Sequence, residues 1–196
     1  MTQTTATPAT ATTTPSGLRS LYLIRVVFSL IWVALVLATC ASLKSNDTPT
    51  AIAAVLLTIY PLWDAIATLL ERRLAGAGST SRVSAVNMAL GLAATIGMIV
   101  AIFSTIGSAL LAFGIWALLS GAIQLVTAIR RWRTVGAQWP MIISGGLSVV
   151  AGATFAAMSG STTSGLSTIA GYSAFGAFWF LVSVIALSLR TRRAKR

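Results

Sequence analysis

Only one carboxylate in this 196-residue chain, Asp64, falls within a long apolar stretch, and only one cation, Arg25, falls deep within another. Arg25 lies six positions beyond Arg19, roughly 9 Å along a helix, and Asp64 lies seven positions before Glu71, roughly 10 Å. If the two stretches form an antiparallel pair with its turn near residue 46, facing positions sum to about twice that value. Arg25 and Asp64 then meet at one depth. A charge at the centre of a bilayer costs about 2.5–3.5 kcal/mol, and pairing is its natural relief. The next pair of stretches offers Asn87 and Gln124 at corresponding positions, with a turn near residue 106. The matching sites of the last pair, Ile142 and Val184, are apolar. The series ionic, amide, apolar supports two chemistries. Such pairs clamp antiparallel helices together, or Asp64 titrates in a proton or ion path. Pro61, three residues before Asp64, removes a helix hydrogen bond and can bend the chain beside the charge.

Little other chemistry is available. The chain has no His, one Cys (Cys40) and three acidic residues, Asp47, Asp64 and Glu71. No triad and no metal cluster can be assembled from these, so neither an enzyme nor a cofactor or metal site is expected. A single Cys also excludes an intrachain disulfide, and Cys40 reads as a small apolar filler.

The elements that must position these groups are six apolar stretches, each long enough to cross a bilayer. They cover about 21–43, 50–70, 83–103, 109–129, 139–158 and 168–189. With 56% hydrophobic and 9% charged residues, the expected fold is an all-α polytopic membrane protein with little chain left for a soluble domain. Thirteen of the fourteen Lys and Arg residues, all but Lys44, lie on the side of the N-terminus or in the first stretch near it. Cytoplasmic loops are enriched in Lys and Arg, so a bacterial inner-membrane protein with both termini in the cytoplasm is expected. The net charge of +11 is then a topology signal rather than a nucleic-acid footprint. Lipid is the expected partner, together with a second copy of the chain or another membrane protein. Residues 1–17, with eight Thr and no charged side chain, read as a disordered tail. Residues 190–196 form a basic cytoplasmic tail.

The stretches repeat. A shift of 60 residues carries Asp64 onto Gln124, and the Arg cluster after residue 70 onto the cluster at Arg130. A shift of 55 carries Gly91–Gly97 onto Gly146–Gly152. This predicts three tandem two-helix hairpins of one orientation. Small residues four apart mark expected tight interfaces, in the bundle or between subunits. These are Ala93, Gly97 and Ala101 on the third stretch, and Ser148, Gly152 and Ala156 on the fifth.

The run Trp116-Ala117-Leu118-Leu119-Ser120-Gly121-Ala122-Ile123-Gln124 leads to Arg130-Arg131-Trp132-Arg133. Trp139-Pro140 follows, then Ser144-Gly145-Gly146-Leu147-Ser148-Val149-Val150-Ala151-Gly152. This combination resembles the HdeD family, bacterial inner-membrane proteins built from a short repeat of unknown function. The resemblance covers roughly residues 20–190. It implies a non-enzymatic membrane protein with a role in envelope stress or acid tolerance. It does not extend evenly, since Ser29 and Leu35 stand in the first hairpin where the others carry Gly. The alternative is a small channel or transporter for protons or a small solute that uses Asp64.

Overall fold

A computed structural model describes residues 15–74, 82–135 and 139–193. They form six helices: α1 (Pro15–Thr39), α2 (Ala51–Leu74), α3 (Arg82–Ala101), α4 (Ile106–Val135), α5 (Trp139–Met158) and α6 (Leu166–Arg193). Each contains a window of 20–25 residues long and apolar enough to cross a membrane. The chain is therefore an all-α, multi-pass membrane protein. Residues 1–14 of the expected tail, the 75–81 loop with Gly76 and Gly78, residues 136–138, and 194–196 of the basic tail lie outside the described residues.

Several boundaries differ from those expected. Helix α1 begins at Pro15, inside the expected tail, where proline's fixed φ suits the first helical position. It ends at Thr39 rather than 43. Helices α2, α4 and α6 run on past the apolar stretches through their Arg clusters, because nothing in those runs breaks a helix. Thr50 Oγ1 accepts the Ala53 N–H at the start of α2, and Thr105 Oγ1 accepts the Ser108 N–H at the start of α4. Both are N-caps.

The surface is inverted relative to a water-soluble bundle. Large apolar side chains such as Val55, Ile96, Val100 and Val150 point outward, whereas Arg25, Ser29, Thr95 and Ser173 are buried. A lipid-facing exterior removes any hydrophobic drive between helices, so close packing and polar contacts must hold them. Hydroxyls within the helices donate back to the carbonyl four residues earlier, as at Thr95 to Gly91, Ser120 to Trp116 and Ser183 to Trp179. This satisfies each group without a partner helix.

Each helix touches the next, and α6 returns to α1, closing a ring. The closest pairings are α4 with α5, α1 with α6, and α2 with α3, while α5 and α6 meet least. The expected hairpins are present as connections, but the tightest contacts run between them. Along α4 and α5 the cause is a glycine seam. Gly107, Gly114 and Gly121 recur every seven residues on α4, opposite Ser159, Gly152 and Gly145. A Cβ at Gly114 would lie 2.7 Å from the Gly152 carbonyl oxygen, and one at Gly121 would lie 2.9 Å from that of Gly145. Backbone meets backbone here, the close approach that membrane helices use in place of hydrophobic drive.

Ser148, Gly152 and Ala156 lie along this seam. The Ala93–Gly97–Ala101 ridge does not form a comparable contact inside the chain. Nothing comes within 4 Å of a Cβ built at Gly97, and Ala93 is exposed. Helix α3 instead buries Gly91, Thr95, Met98 and Ala101, with Gly91 against the Ala65 side chain. Within the chain, therefore, only Ala101 of that ridge packs into the bundle, while Ala93 and Gly97 lie on its outer face. Gly97→Leu is accordingly expected to leave the melting temperature of the protein in detergent unchanged within a degree or two. A marked drop would place another segment against this face.

The half of the ring away from the Arg clusters is solid. Trp32, Val36, Leu57, Met98, Ile106, Leu110, Phe113, Phe155, Leu166 and Ile169 form one buried cluster. The turns above it are stitched together. The Ser45 N–H donates to the Ser164 carbonyl, Leu166 N–H to Leu43, Gly107 N–H to Ser45, and Ile106 N–H to Asp47. Ser45 Oγ also donates to the Ser164 carbonyl.

Candidate functional site: a polar cavity at the basic end

In the other half of the ring the helices part around a cavity of about 430 Å³, walled by residues of all six helices. That volume lies within the usual range for small-molecule sites. Its first wall is a pair of polar stripes. Tyr22, Arg25 and Ser29 on α1, and Asp64, Thr68 and Glu71 on α2, follow the three- and four-residue steps of one helical face. Antiparallel packing matches the stripes. Tyr22 Oη donates to Glu71 Oε1 at 3.1 Å, and Arg25 Nη2 to Thr68 Oγ1 at 3.3 Å. Arg25 Nη1 makes an ion pair with Asp64 Oδ1 at 2.8 Å. The Arg25 guanidinium also lies 5.0 Å from the centre of the Phe180 ring. The pair is asymmetric: the Arg25 side chain is 8% exposed and that of Asp64 is 31% exposed. The cation is held back in the wall, while the carboxylate remains accessible.

Asn87 and Gln124 also line the cavity, but the structure does not bring them into a hydrogen bond. Gln124 Nε2 donates to the Met141 carbonyl on α5 at 3.3 Å, whereas Asn87 Oδ1 is buried without a partner. The expected amide clamp of the second hairpin is replaced by a link across the tight α4–α5 pair. The glycine seam draws α4 toward α5, and that displaces Gln124 from α3.

The cavity floor is aromatic. The Tyr60 ring lies 4.6 Å from that of Trp32, 5.9 Å from Phe113 and 6.2 Å from Trp116. Phe113 and Phe155 both meet Tyr172 edge-on, at 5.8 and 5.5 Å. Tyr60, Trp116 and Tyr172 border the cavity, whereas Trp32, Phe113 and Phe155 behind them belong to the apolar cluster. Tyr172 Oη donates to Ser148 Oγ at 2.9 Å and bridges α6 and α5, the ring neighbours that meet least. Trp63 stacks on Phe28 at 4.8 Å. Trp63, Trp116 and Trp179 all line the cavity, yet their indole N–H groups have no partner, and neither does Arg25 Nε.

Comparison with protein-family models, with curated proteins and with solved structures finds no match.

The two cavity carboxylates belong to different contacts, with Asp64 on Arg25 and Glu71 on Tyr22. Among the described residues no three His, Cys, Asp or Glu side chains converge as a metal site would require. Cys40 is fully buried, in the turn after α1, with Sγ 3.2 Å from Thr39 Oγ1. Sequence reasoning missed Tyr22, Thr68, Tyr172 and Phe180 as wall residues. The signal for the first two was available: 22 with 71 and 25 with 68 have the same sum, as an antiparallel register demands. Phe180 carried no such signal, since α6 reaches α1 only by closure of the ring; Tyr172 bonds instead to Ser148 on the helix that precedes α6.

Proposed function

We propose that this chain is a non-enzymatic inner-membrane protein of the HdeD type. On this reading it holds a small solute in a cavity reached from the cytoplasm, in the service of envelope stress or acid tolerance. The observation that carries the reading is the division of the ring into two halves. A polar cavity lies at the end with the Arg clusters, and an apolar cluster under interlocked turns lies at the other. Lys and Arg favour the cytoplasmic side, so the open half faces the cytosol. Asn87 Oδ1, buried at the cavity without a partner, supports binding, because buried polar atoms are normally paired and an unpaired one costs about 1–3 kcal/mol.

Single cysteines in a Cys40→Ala background test this reading with a membrane-impermeant thiol reagent. Ser144→Cys lines the cavity and is expected to react in inside-out vesicles only. Asn46→Cys lies on the opposite turn and is expected to react in intact cells only. Labelling of Ser144→Cys from outside, or of Asn46→Cys from the cytoplasm, would overturn it.

The accessible Asp64 carboxylate favours a second reading, a channel or transporter for protons or a small solute. That reading requires the aromatic floor to part. Flux into proteoliposomes that is abolished by Asp64→Asn would establish it in place of static binding.

A further inference from the structure

We infer that the cavity takes a small organic cation, an amine or quaternary ammonium, seated between the Asp64 carboxylate and the aromatic walls. This rests on the reading of the cavity as a solute site and names the solute's class.

Charge favours a cation. Among the described residues lining the cavity Asp64 and Glu71 are acidic and Arg25 alone is basic, an excess of one negative charge. The asymmetry of the ion pair strengthens this. Arg25 is withdrawn into the wall, bonded to Asp64 and Thr68 and set over Phe180, whereas Asp64 keeps 31% of its side chain exposed. A solute entering the cavity meets the carboxylate. Arg72, Arg73 and Arg82 at the same end of the ring do not line it.

The wall material favours one as well. Tyr60, Trp63, Trp116, Tyr172, Trp179 and Phe180 all border the cavity. Aromatic faces attract cations through their quadrupole, Trp most strongly, and more so when the cation is desolvated. Arg25 over Phe180 is one such contact already made within the protein. A plain apolar solute would need neither carboxylate. A compact metal ion would find no third ligand among the described residues.

The test is calorimetric titration of the full chain in detergent micelles with three probes of similar size. They are benzyltrimethylammonium (cationic), benzyl alcohol (neutral) and benzoate (anionic). Saturable binding of the cation alone is expected. Asp64→Asn should weaken it about tenfold or more and Trp179→Leu about threefold. Arg25→Gln, which removes the competing guanidinium, should tighten it. If Asp64→Asn fails to fold, Glu71→Gln (weaker) and Arg25→Gln (tighter) carry the same opposed signs. Preferential binding of benzoate would overturn the cation assignment and make the indole N–H groups the determinants, with the cavity reading intact. Cation binding that ignores Asp64→Asn and Glu71→Gln would overturn it too, as would no binding of the cation. Failure of the cavity reading itself appears separately, as a Ser144→Cys that no reagent reaches from the cytoplasmic side.

Discussion

Asp64→Ala is expected to destabilise the protein by about 3–5 kcal/mol, the usual cost of stranding one partner of a buried ion pair. With Asp64 removed, the Arg25 guanidinium keeps only Thr68 Oγ1 and the face of Phe180, and its side chain is 8% exposed. Thermal unfolding in detergent, followed by intrinsic fluorescence, would read a drop in melting temperature on the order of 10 °C. The double change Arg25→Met with Asp64→Leu should recover most of the loss, since apolar replacement of a whole buried pair is often neutral or stabilising. Interhelical polar contacts in membranes average about 0.6 kcal/mol. A loss that small for Asp64→Ala would mean that Arg25 finds water through the cavity, and the burial argument would fail.

Gly152→Leu is expected to destabilise the fold by about 3 kcal/mol or more, at or beyond the usual upper range for overpacking. A Cβ at this position would run into the Leu118 backbone nitrogen and lie 2.6 Å from the Gly114 carbonyl oxygen. Both obstacles are backbone, so α4 and α5 must separate to admit any side chain. Gly146→Leu is the control. It lies on the same helix with nothing within 4 Å of its Cβ, and should unfold near the wild-type temperature. Equal losses at the two glycines would argue for a helix-propensity effect and against the seam.

The six helices were legible because each apolar stretch carries its own length signal and is interrupted by charge or turn residues. Arg25 opposite Asp64 was legible for a related reason: both lie on helices joined by one short turn, so a sum of residue numbers locates the contact. The cavity was not legible, because it depends on ring closure. Glu71 and Trp179 lie more than a hundred positions apart, and no local pattern states that α6 returns to α1. Gln124 was misplaced on the same account. A pairing rule for neighbours in sequence assigned it to α3, whereas glycines seven residues apart on α4 draw that helix to α5. The seven-residue recurrence of Gly107, Gly114 and Gly121 was present in the sequence, but a search for small residues four apart passes over it.

The stitched turns also constrain how the protein is made. Ser45 bonds to Ser164 across 119 positions, and the polar stripe of α1 is buried against helices that include α6. Until α6 leaves the ribosome, α1 must wait in lipid with Arg25 covered only by α2, and the cap over the apolar half cannot form. Closure of the ring therefore follows insertion of α6. A stalled or truncated product would leave a half-shielded arginine in the bilayer, the kind of defect that membrane quality-control proteases can recognise.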